Sequence, residues 1–285
     1  MGFTKRAIRF SVPRNIRNWL RSPTRSAEWA WDEIKYALGV KQIVQMRPGW
    51  VLLCHPSAYR FAYYAHNSDW EQIAELDGFI SACRPGMVLF DVGAHFGLFS
   101  LASLHYGGVT AKAIAVDPSE TASRITRIQA KLNHVADQLR VINATVTDKP
   151  GRLDMVAVGV LASWYFIAPT KDHPKSELTQ TRAITVDGLA QEFRTLPTHI
   201  KIDVEGHEAA VLRGGQQVLS QADPPVLFIE LHNQMVRERI GDPAESLVLL
   251  KALGYNTFTV KGVPLGRDNI LDRPLIRITA RKPSG

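Results

Sequence analysis

Acidic and histidine side chains gather at the ends of two apolar segments in the second half of the chain. Asp203, Glu205 and His207 follow the first segment, and Glu230 and His232 end the second. Histidine has an ordinary pKa of about 6.5, so it suits proton abstraction near neutral pH, and a neighbouring carboxylate can orient its ring. We therefore predict His207 as a general base, with Asp203 or Glu230 as its partner, and His232 as the second choice.

The same carboxylates suit a second chemistry. Asp203, Glu205 and Glu230 offer the hard oxygen ligands that magnesium prefers, and a bound ion would lower the pKa of an acceptor hydroxyl. The sequence contains no dedicated metal-binding loop, so the metal site is the alternative to base catalysis. Glu205 also lies near the start of a predicted helix, where the helix dipole favours acids for structural reasons. Lys201, inside the strand, is predicted to be a buried salt-bridge partner.

Alternating apolar and amphipathic segments predict the elements that position these side chains. Five short apolar runs each end in an acidic residue or an asparagine: 87–91, 113–117, 139–143, 199–203 and 226–230. This alternation predicts an α/β fold with a mostly parallel sheet and helices on both faces. Because ligands bind outside the carboxyl ends of such strands, we expect the polar endings to line one crevice. Runs 255–260 and 275–280 predict a closing antiparallel pair.

The helical segments and the domain organisation follow from the same periodicity. Apolar spacing predicts these helices: 26–38, 69–83, 97–106, 119–135, 205–219 and 243–253. Segments 42–47 and 50–54, around a Pro-Gly turn, predict a hairpin. We divide the chain into an N-terminal extension, 1–68, and a main domain, 69–285. An insert at 148–197 is expected near the site of the second substrate.

A glycine-bracketed loop between the first run of the sheet and the next helix predicts a nucleoside site. Gly93 and Gly97 flank three residues without a middle glycine, which disfavours a dinucleotide, and no P-loop lysine follows. Asp91 suits a cationic group, and Asp117 ends the next strand where acids bind ribose hydroxyls. S-adenosylmethionine carries an ammonium and no phosphate, so it fits best. The predicted cofactor-binding residues are Asp91, Gly93, Ala94, Phe96, Gly97, Asp117, Pro118, Asn143 and Asp203.

These motifs resemble those of a known family. Segment 88–97 looks like motif I of class I S-adenosylmethionine-dependent methyltransferases, and segments 200–208, 211–214 and 228–232 are similar to the signature of the FkbM family. The resemblance implies a Rossmann-like, seven-stranded sheet and methyl transfer, most often to a hydroxyl on a sugar, polyketide or related metabolite. The sequence departs from the family pattern at His95, where asparagine is common, at 116–119, and at His207, where a small residue is usual.

The charge of the chain is concentrated at its N-terminus. The formal net charge is +7, and seven basic residues precede the first acidic residue, Glu28: Lys5, Arg6, Arg9, Arg14, Arg17, Arg21 and Arg25. The remaining chain is formally neutral, so a broad nucleic-acid groove is not expected. Apolar residues between these charges fit an amphipathic segment on an anionic membrane surface, with a solvated arm as the simpler alternative.

Composition and cysteine content limit the remaining classes of protein to which the chain can belong. The 285 residues are 45% hydrophobic and 21% charged, as in a globular domain, and neither Cys54 nor Cys83 has zinc-site spacing. No apolar run approaches the about 20 residues that cross a bilayer, so we expect a cytoplasmic protein, peripheral to the membrane at most. Nucleic-acid or ribosome-associated methylation and a non-catalytic cofactor-binding module stay open as alternatives. Aromatic candidates for acceptor binding are Tyr59, Tyr63, Tyr64, Trp70, Trp164 and Tyr165.

Overall fold

The computed structural model describes residues 23–158, 164–167, 178–239, 241–265 and 272–283. Residues 1–22, which carry most of the basic arm, lie outside the described part. The strands are β1 (Gln42–Arg47), β2 (Trp50–Cys54), β3 (Val88–Val92), β4 (Lys112–Asp117), β5 (Leu139–Asn143), β6 (Thr145–Val146), β7 (Gly151–Val158), β8 (Trp164–Ile167), β9 (Leu178–Ile184), β10 (His199–Ile202), β11 (Val226–Leu231), β12 (Asn256–Thr259) and β13 (Ile276–Arg281).

Of the six predicted helical segments, five match helices of the structure to within three residues at each end. They are α1 (Pro23–Ala37), α2 (Pro56–Ala58), α3 (Ala65–Ser68), α4 (Trp70–Ala82), α5 (Leu98–Gly107), α6 (Glu120–Leu132), α7 (Val186–Phe193), α8 (Glu208–Arg213), α9 (Gln216–Leu219), α10 (Asn233–Glu238) and α11 (Glu245–Ala252), with a π-helix at Tyr59–Tyr63. Asp69 and Ser119 cap α4 and α6 by accepting hydrogen bonds from backbone N–H groups. No helix in the described ranges is long and apolar enough to cross a membrane.

The central sheet confirms the predicted α/β architecture. Within the described residues its seven strands run in the order β12-β13-β11-β10-β3-β4-β5, and only β13 runs antiparallel to its neighbours. Two buried apolar clusters cover its two faces, one around Leu89 and the other around Phe90. The strand order reverses between β3 and β10. A crevice at this switch point is where doubly wound sheets bind ligands.

The segment predicted as one helix over 205–219 is two short helices. Gly214 and Gly215 separate α8 from α9. A Cβ on Gly214 would lie 2.1 Å from the carbonyl oxygen of Thr147, so the backbones of these two segments are in direct contact. This contact requires glycine at the break.

The N-terminal extension packs into the main domain. The hairpin side chains Trp50 and Leu52 belong to the same buried cluster as Phe79 and Leu89. The insert forms a second sheet in the order β6-β9-β7-β8. Residues 159–163 and 168–177 of the insert lie outside the described residues.

Candidate functional site

A cavity of about 490 Å³ opens at the switch point of the sheet. Asp91, Asp117, Asp203 and Glu230, at the carboxyl ends of four neighbouring strands, all line it. The sheet therefore brings the polar strand endings to one place, as the strand pattern predicts.

The glycine loop of the cavity touches the turn after β10. Gly93 has φ +78°, and a Cβ there would lie 1.8 Å from the carbonyl oxygen of Asp203. Its N–H donates to Val116 O at 2.8 Å, which ties the loop to β4. Gly97 has φ +75° and faces the side chain of Thr126. The loop thus joins the half of the cavity beside β3 and β4 to the half beside β10.

Asp91 is fixed at the cavity wall by the start of α5. Its Oδ2 accepts hydrogen bonds from the Ser100 backbone N–H at 3.0 Å and the Ser100 hydroxyl at 2.6 Å. Burial raises the pKa of Asp91, while the Ser100 hydrogen bonds and the charge of Lys201 oppose this rise. The carboxylate is buried and held in one orientation.

Asp117 is held by backbone donors on both sides. Its Oδ2 accepts from the His95 N–H and its Oδ1 from the Ser119 N–H, both at 2.8 Å. Burial raises its pKa to about 7, against the effect of these hydrogen bonds. Pro118 lies beside it in the cavity wall.

Seven of the nine predicted cofactor residues line the cavity: Asp91, Gly93, Ala94, Phe96, Asp117, Pro118 and Asp203. Gly97 and Asn143 are not among the lining residues of the described chain, and their contact with the cofactor stays a prediction. Gly97 packs on Thr126, and the Asn143 side chain donates to Asp117 O at 3.1 Å. Gly97 thus fixes the end of the glycine loop, and Asn143 fixes the end of β4.

His232 lies at the centre of a carboxylate cluster. Its Nδ1 is 2.8 Å from Glu208 Oε1, and its Nε2 is 3.3 Å from Glu205 Oε2 and 3.6 Å from Asp203 Oδ1. Although burial alone would lower its pKa, the carboxylates outweigh burial and raise it to about 10. The ring is therefore an imidazolium at neutral pH.

Asp203 is the cluster carboxylate most open to the cavity. Its side chain is 31% exposed, against 20% for Glu205 and 1% for Glu208. Burial, together with repulsion from Glu230, raises the pKa of Asp203 to about 6. Burial raises the pKa of Glu205 to about 8. The backbone of Glu205 has a positive φ of 54°. Asp203 is thus ionised at neutral pH and accessible.

Glu230 joins this cluster to a second network. Its carboxylate lies 3.3 Å from Lys201 Nζ and 3.0 Å from Arg277 Nη2, and these cations hold its pKa well below the ordinary value despite burial. Lys201 Nζ also lies 3.9 Å from Asp203 Oδ2. Among the described residues, the three donor atoms close enough to share a metal ion, within 4.8 Å of one another, belong instead to Asp203, Glu205 and His232. The predicted set of Asp203, Glu205 and Glu230 is therefore not the one that converges.

Lys201 occupies the centre of that network, as a buried salt-bridge partner. Its Nζ lies 2.9 Å from Glu75 Oε1, and Glu75 also pairs with Arg277 at 2.9 Å. Lys201 is 1% exposed and Glu75 2%. Glu75 comes from α4, at the start of the main domain, and the apolar spacing that predicted this helix did not indicate an ion pair with Lys201.

His207 lines the cavity without the predicted partner. No ion pair joins its ring to Asp203 or Glu230 among the described residues, and the nearby charges are those of Arg239, Glu208, Asp148 and Arg213. Burial, followed by Arg239, lowers its pKa to about 4. The carboxylate expected to orient His207 faces His232 instead.

Among the aromatic candidates, Tyr63 reaches the cavity. Its hydroxyl donates to Phe96 O at 2.6 Å and accepts from Gln129 Nε2 at 3.1 Å, so the π-helix supports the glycine loop. Tyr64 and Trp70 are exposed, and neither lines the cavity. The side chains of Trp164 and Tyr165 lie outside the described part. His95, noted only as a departure from a family pattern, also lines the cavity.

A family model and a curated protein both match part of this chain. The family model described as methyltransferase FkbM domain matches residues 91–257. A ribosomal protein L11 methyltransferase from Pelotomaculum thermopropionicum is 31% identical over 110 residues, which are 38% of this chain and 34% of that protein. The match thus spans about a third of this curated relative.

Solved structures that match this chain include the following two methyltransferases. An O-methyltransferase from Bacillus cereus, in complex with SAH, matches with TM-score 0.41 and 12% identity over 74% of this chain and 79% of that one. A precorrin-6y C5,15-methyltransferase from Geobacter metallireducens matches with TM-score 0.40 and 12% identity over 74% and 86%.

Proposed function

This chain belongs to the FkbM family of S-adenosylmethionine-dependent methyltransferases, and we propose that its acceptor is a hydroxyl group on a sugar, glycoside, polyketide or related small metabolite. The observation that carries the proposal is the position of Asp203. Its backbone touches the cofactor loop, and its accessible carboxylate borders the same cavity. A proton acceptor therefore lies beside the place of methyl transfer.

The residues of the cavity fit the cofactor. The backbone contact at Gly93 leaves no room for a side chain, and this bare backbone suits a nucleoside. Asp91 would pair with the ammonium of the methionine part, and Asp117 would accept hydrogen bonds from ribose hydroxyls. S-adenosylmethionine supplies a methyl group bonded to a positively charged sulfur.

Asp203 would take the proton that the acceptor hydroxyl loses as its oxygen bonds to the methyl carbon, while the bond from that carbon to sulfur breaks and its electron pair leaves with sulfur as a neutral thioether. A carboxylate with a pKa of about 6 is ionised at neutral pH and is still basic enough for this transfer. The His232 imidazolium, fixed by Glu208, would orient Asp203 and balance the negative charge of the cluster. The remaining cavity wall would hold the acceptor in line and exclude water.

Replacement of Asp203 by asparagine should lower kcat by about 10²–10⁴-fold, because an amide cannot accept the proton. Cofactor affinity should change little, since Asp203 meets the cofactor loop through its backbone. In the parent protein, kcat should fall as the pH drops through about 6, where Asp203 becomes protonated; this inflection should be absent from the variant. Steady-state kinetics across pH measure both effects, with Asp223→Asn on an exposed turn as the matched control.

A chelator separates this mechanism from metal catalysis at the same cluster. We expect turnover to survive exhaustive EDTA treatment, because the His232 imidazolium already supplies positive charge between Asp203 and Glu205. Activity lost to EDTA and restored by magnesium would contradict the base role of Asp203 and assign these residues to a metal site.

The acceptor class is tested by mass spectrometry. The protein is incubated with S-adenosylmethionine and fractionated hydroxyl-bearing metabolites, and a product heavier by one CH₂ unit is sought. If prior methylation of the hydroxyl abolishes that product, the hydroxyl oxygen is the acceptor atom.

Methyl label found on RNA or ribosomal protein, with none on small molecules, would overturn the proposal in favour of the nucleic-acid or ribosome-associated alternative. Binding of the cofactor without any transfer would favour the non-catalytic alternative.

A further inference from the structure

Helix α4 and strand β13 form a wall of the cavity near the proposed base. Gln72 of α4 and Arg277 of β13 both line the cavity. Gln72 precedes Glu75 by three residues, so the two side chains lie on the same face of the helix. Glu75 Oε1 contacts Lys201 Nζ at 2.9 Å, and the same Nζ lies 3.9 Å from Asp203 Oδ2. Gln72 therefore belongs to the part of the cavity that contains Asp203.

The side-chain amide of Gln72 is free to bind a ligand. Its backbone N–H donates to the capping carboxylate of Asp69 at 3.0 Å, so the backbone of this residue is fixed. No hydrogen bond engages its side chain within the part of the chain that the structure describes. An amide both donates and accepts hydrogen bonds, as an alcohol does. The group therefore suits a hydroxyl of the acceptor.

The lysine and arginine side chains of the cavity already have acidic neighbours. Among the described lining residues they are Lys201, Arg239 and Arg277. The lysine and the last arginine both lie 2.9–3.3 Å from Glu75 and Glu230. The other arginine interacts most strongly with the charge of Glu208. An anionic acceptor would compete with these acids for its cation, and the open carboxylate of Asp203 would repel it.

We propose that Gln72 determines acceptor specificity by binding a second, unmethylated hydroxyl of an uncharged acceptor. This inference rests on the proposed function, because it takes Asp203 to face the hydroxyl that is methylated. Hydrogen bonds at two separate hydroxyls would fix the orientation of the acceptor for methyl transfer. A site that binds a hydroxyl also rejects analogues without it, since its polar group then loses a partner. The acceptor class is thus a neutral compound with several hydroxyls.

Three pools of acceptors test this class. The full chain is incubated with S-adenosylmethionine and one pool at a time: neutral methyl glycosides and cyclic polyols, the matching uronic acids and sugar phosphates, or apolar alcohols with a single hydroxyl. Mass spectrometry should show at least about ten-fold more methyl transfer to the neutral pool than to either other pool. Preferential transfer to the acidic or apolar pool would overturn this inference alone. No product from any pool would overturn hydroxyl methylation itself, and this inference with it.

Replacement of Gln72 by leucine tests the residue. With the best acceptor of the neutral pool, KM should rise about ten-fold, as expected for one lost hydrogen bond. The value of kcat should change little, because the amide would bind substrate and transition state alike. Calorimetry should show unchanged affinity for S-adenosylmethionine. The matched control is Gln191→Leu, at an exposed position of α7 that does not line the cavity, and it should behave as the parent does.

Two further measurements decide between roles for Gln72. The melting temperature shows that the variant folds, and Gln72→Met, with a side chain of similar length, replaces a leucine variant that does not. An unchanged KM in a folded variant would overturn the role of Gln72 in acceptor binding. A lower kcat together with weaker cofactor binding would also overturn it, because the residue would then act on the cofactor.

Discussion

Alanine at position 93 should reduce affinity for S-adenosylmethionine by about 10²-fold or more, with the fold largely retained. A Cβ at Gly93 would lie 1.8 Å from the carbonyl oxygen of Asp203, so the loop and the β10 turn must separate. The separation would remove backbone contacts with the cofactor, and the loss of two hydrogen bonds at about 1.4 kcal/mol each corresponds to about 10²-fold in affinity. Isothermal titration calorimetry with the cofactor measures the loss of affinity, and circular dichroism checks the fold.

The control for Gly93 is a glycine that also has a positive φ but has no close neighbour. Gly108 has φ +72°, and nothing lies within 4 Å of a Cβ built there. Gly108→Ala therefore introduces the strain of a positive φ without the overlap. Equal affinities for the parent protein and Gly93→Ala would contradict the position of the cofactor loop. Equal losses in the two alanine variants would mean that backbone strain, and not the contact with Asp203, is responsible.

Replacement of Lys201 by methionine should lower the free energy of unfolding by about 3–5 kcal/mol. The change keeps most of the length of the side chain but removes the cation shared by Glu75 and Glu230, which are both buried. Arg277 then stands alone between two carboxylates. Buried charge without a partner is far more costly than the loss of an exposed ion pair. Urea unfolding, followed by circular dichroism, measures the change.

A second variant shows whether the cost comes from the unpaired charge. Adding Glu75→Gln to Lys201→Met should recover part of the lost stability, because one buried carboxylate is then neutral. Lys112→Met, at an exposed position of β4, should change stability by less than about 0.5 kcal/mol. A Lys201→Met effect as small as that of Lys112→Met would contradict the structural role of the network.

Two neighbouring sets of acids have different roles. The acids paired with Lys201 and Arg277 stabilise the structure, and the acids around His232 serve the chemistry. Glu230 ends β11 beside His232, yet its charge is neutralised by Lys201 and Arg277. Asp203 ends β10 and keeps an accessible carboxylate. Adjacent strand ends therefore carry a stabilising acid and a reactive acid. Lys201 lies near both acids, but Arg277 pairs with Glu230, whose side chain is 9% exposed against 31% for Asp203.

The sequence by itself determined the sheet and the rim of the cavity. Apolar runs ending in Asp91, Asp117, Asp203 and Glu230 were sufficient to predict the sheet and the rim. The reason is that the carboxyl ends of parallel strands meet at one edge. The glycine loop could be recognised for a similar reason. A positive φ and a close backbone approach leave a local signature that does not depend on distant residues.

Only the tertiary structure decided which charges meet. His232 rather than His207 is surrounded by carboxylates, and Glu75 of α4 reaches Lys201 of β10. The structure also places Gly97 against Thr126 and the Asn143 side chain against Asp117 O. Such pairings depend on side-chain directions and on packing between segments distant in sequence, and no local period encodes them. Strand ends fix where side chains gather, whereas the surrounding packing fixes which of them are neutralised and which remain available for chemistry.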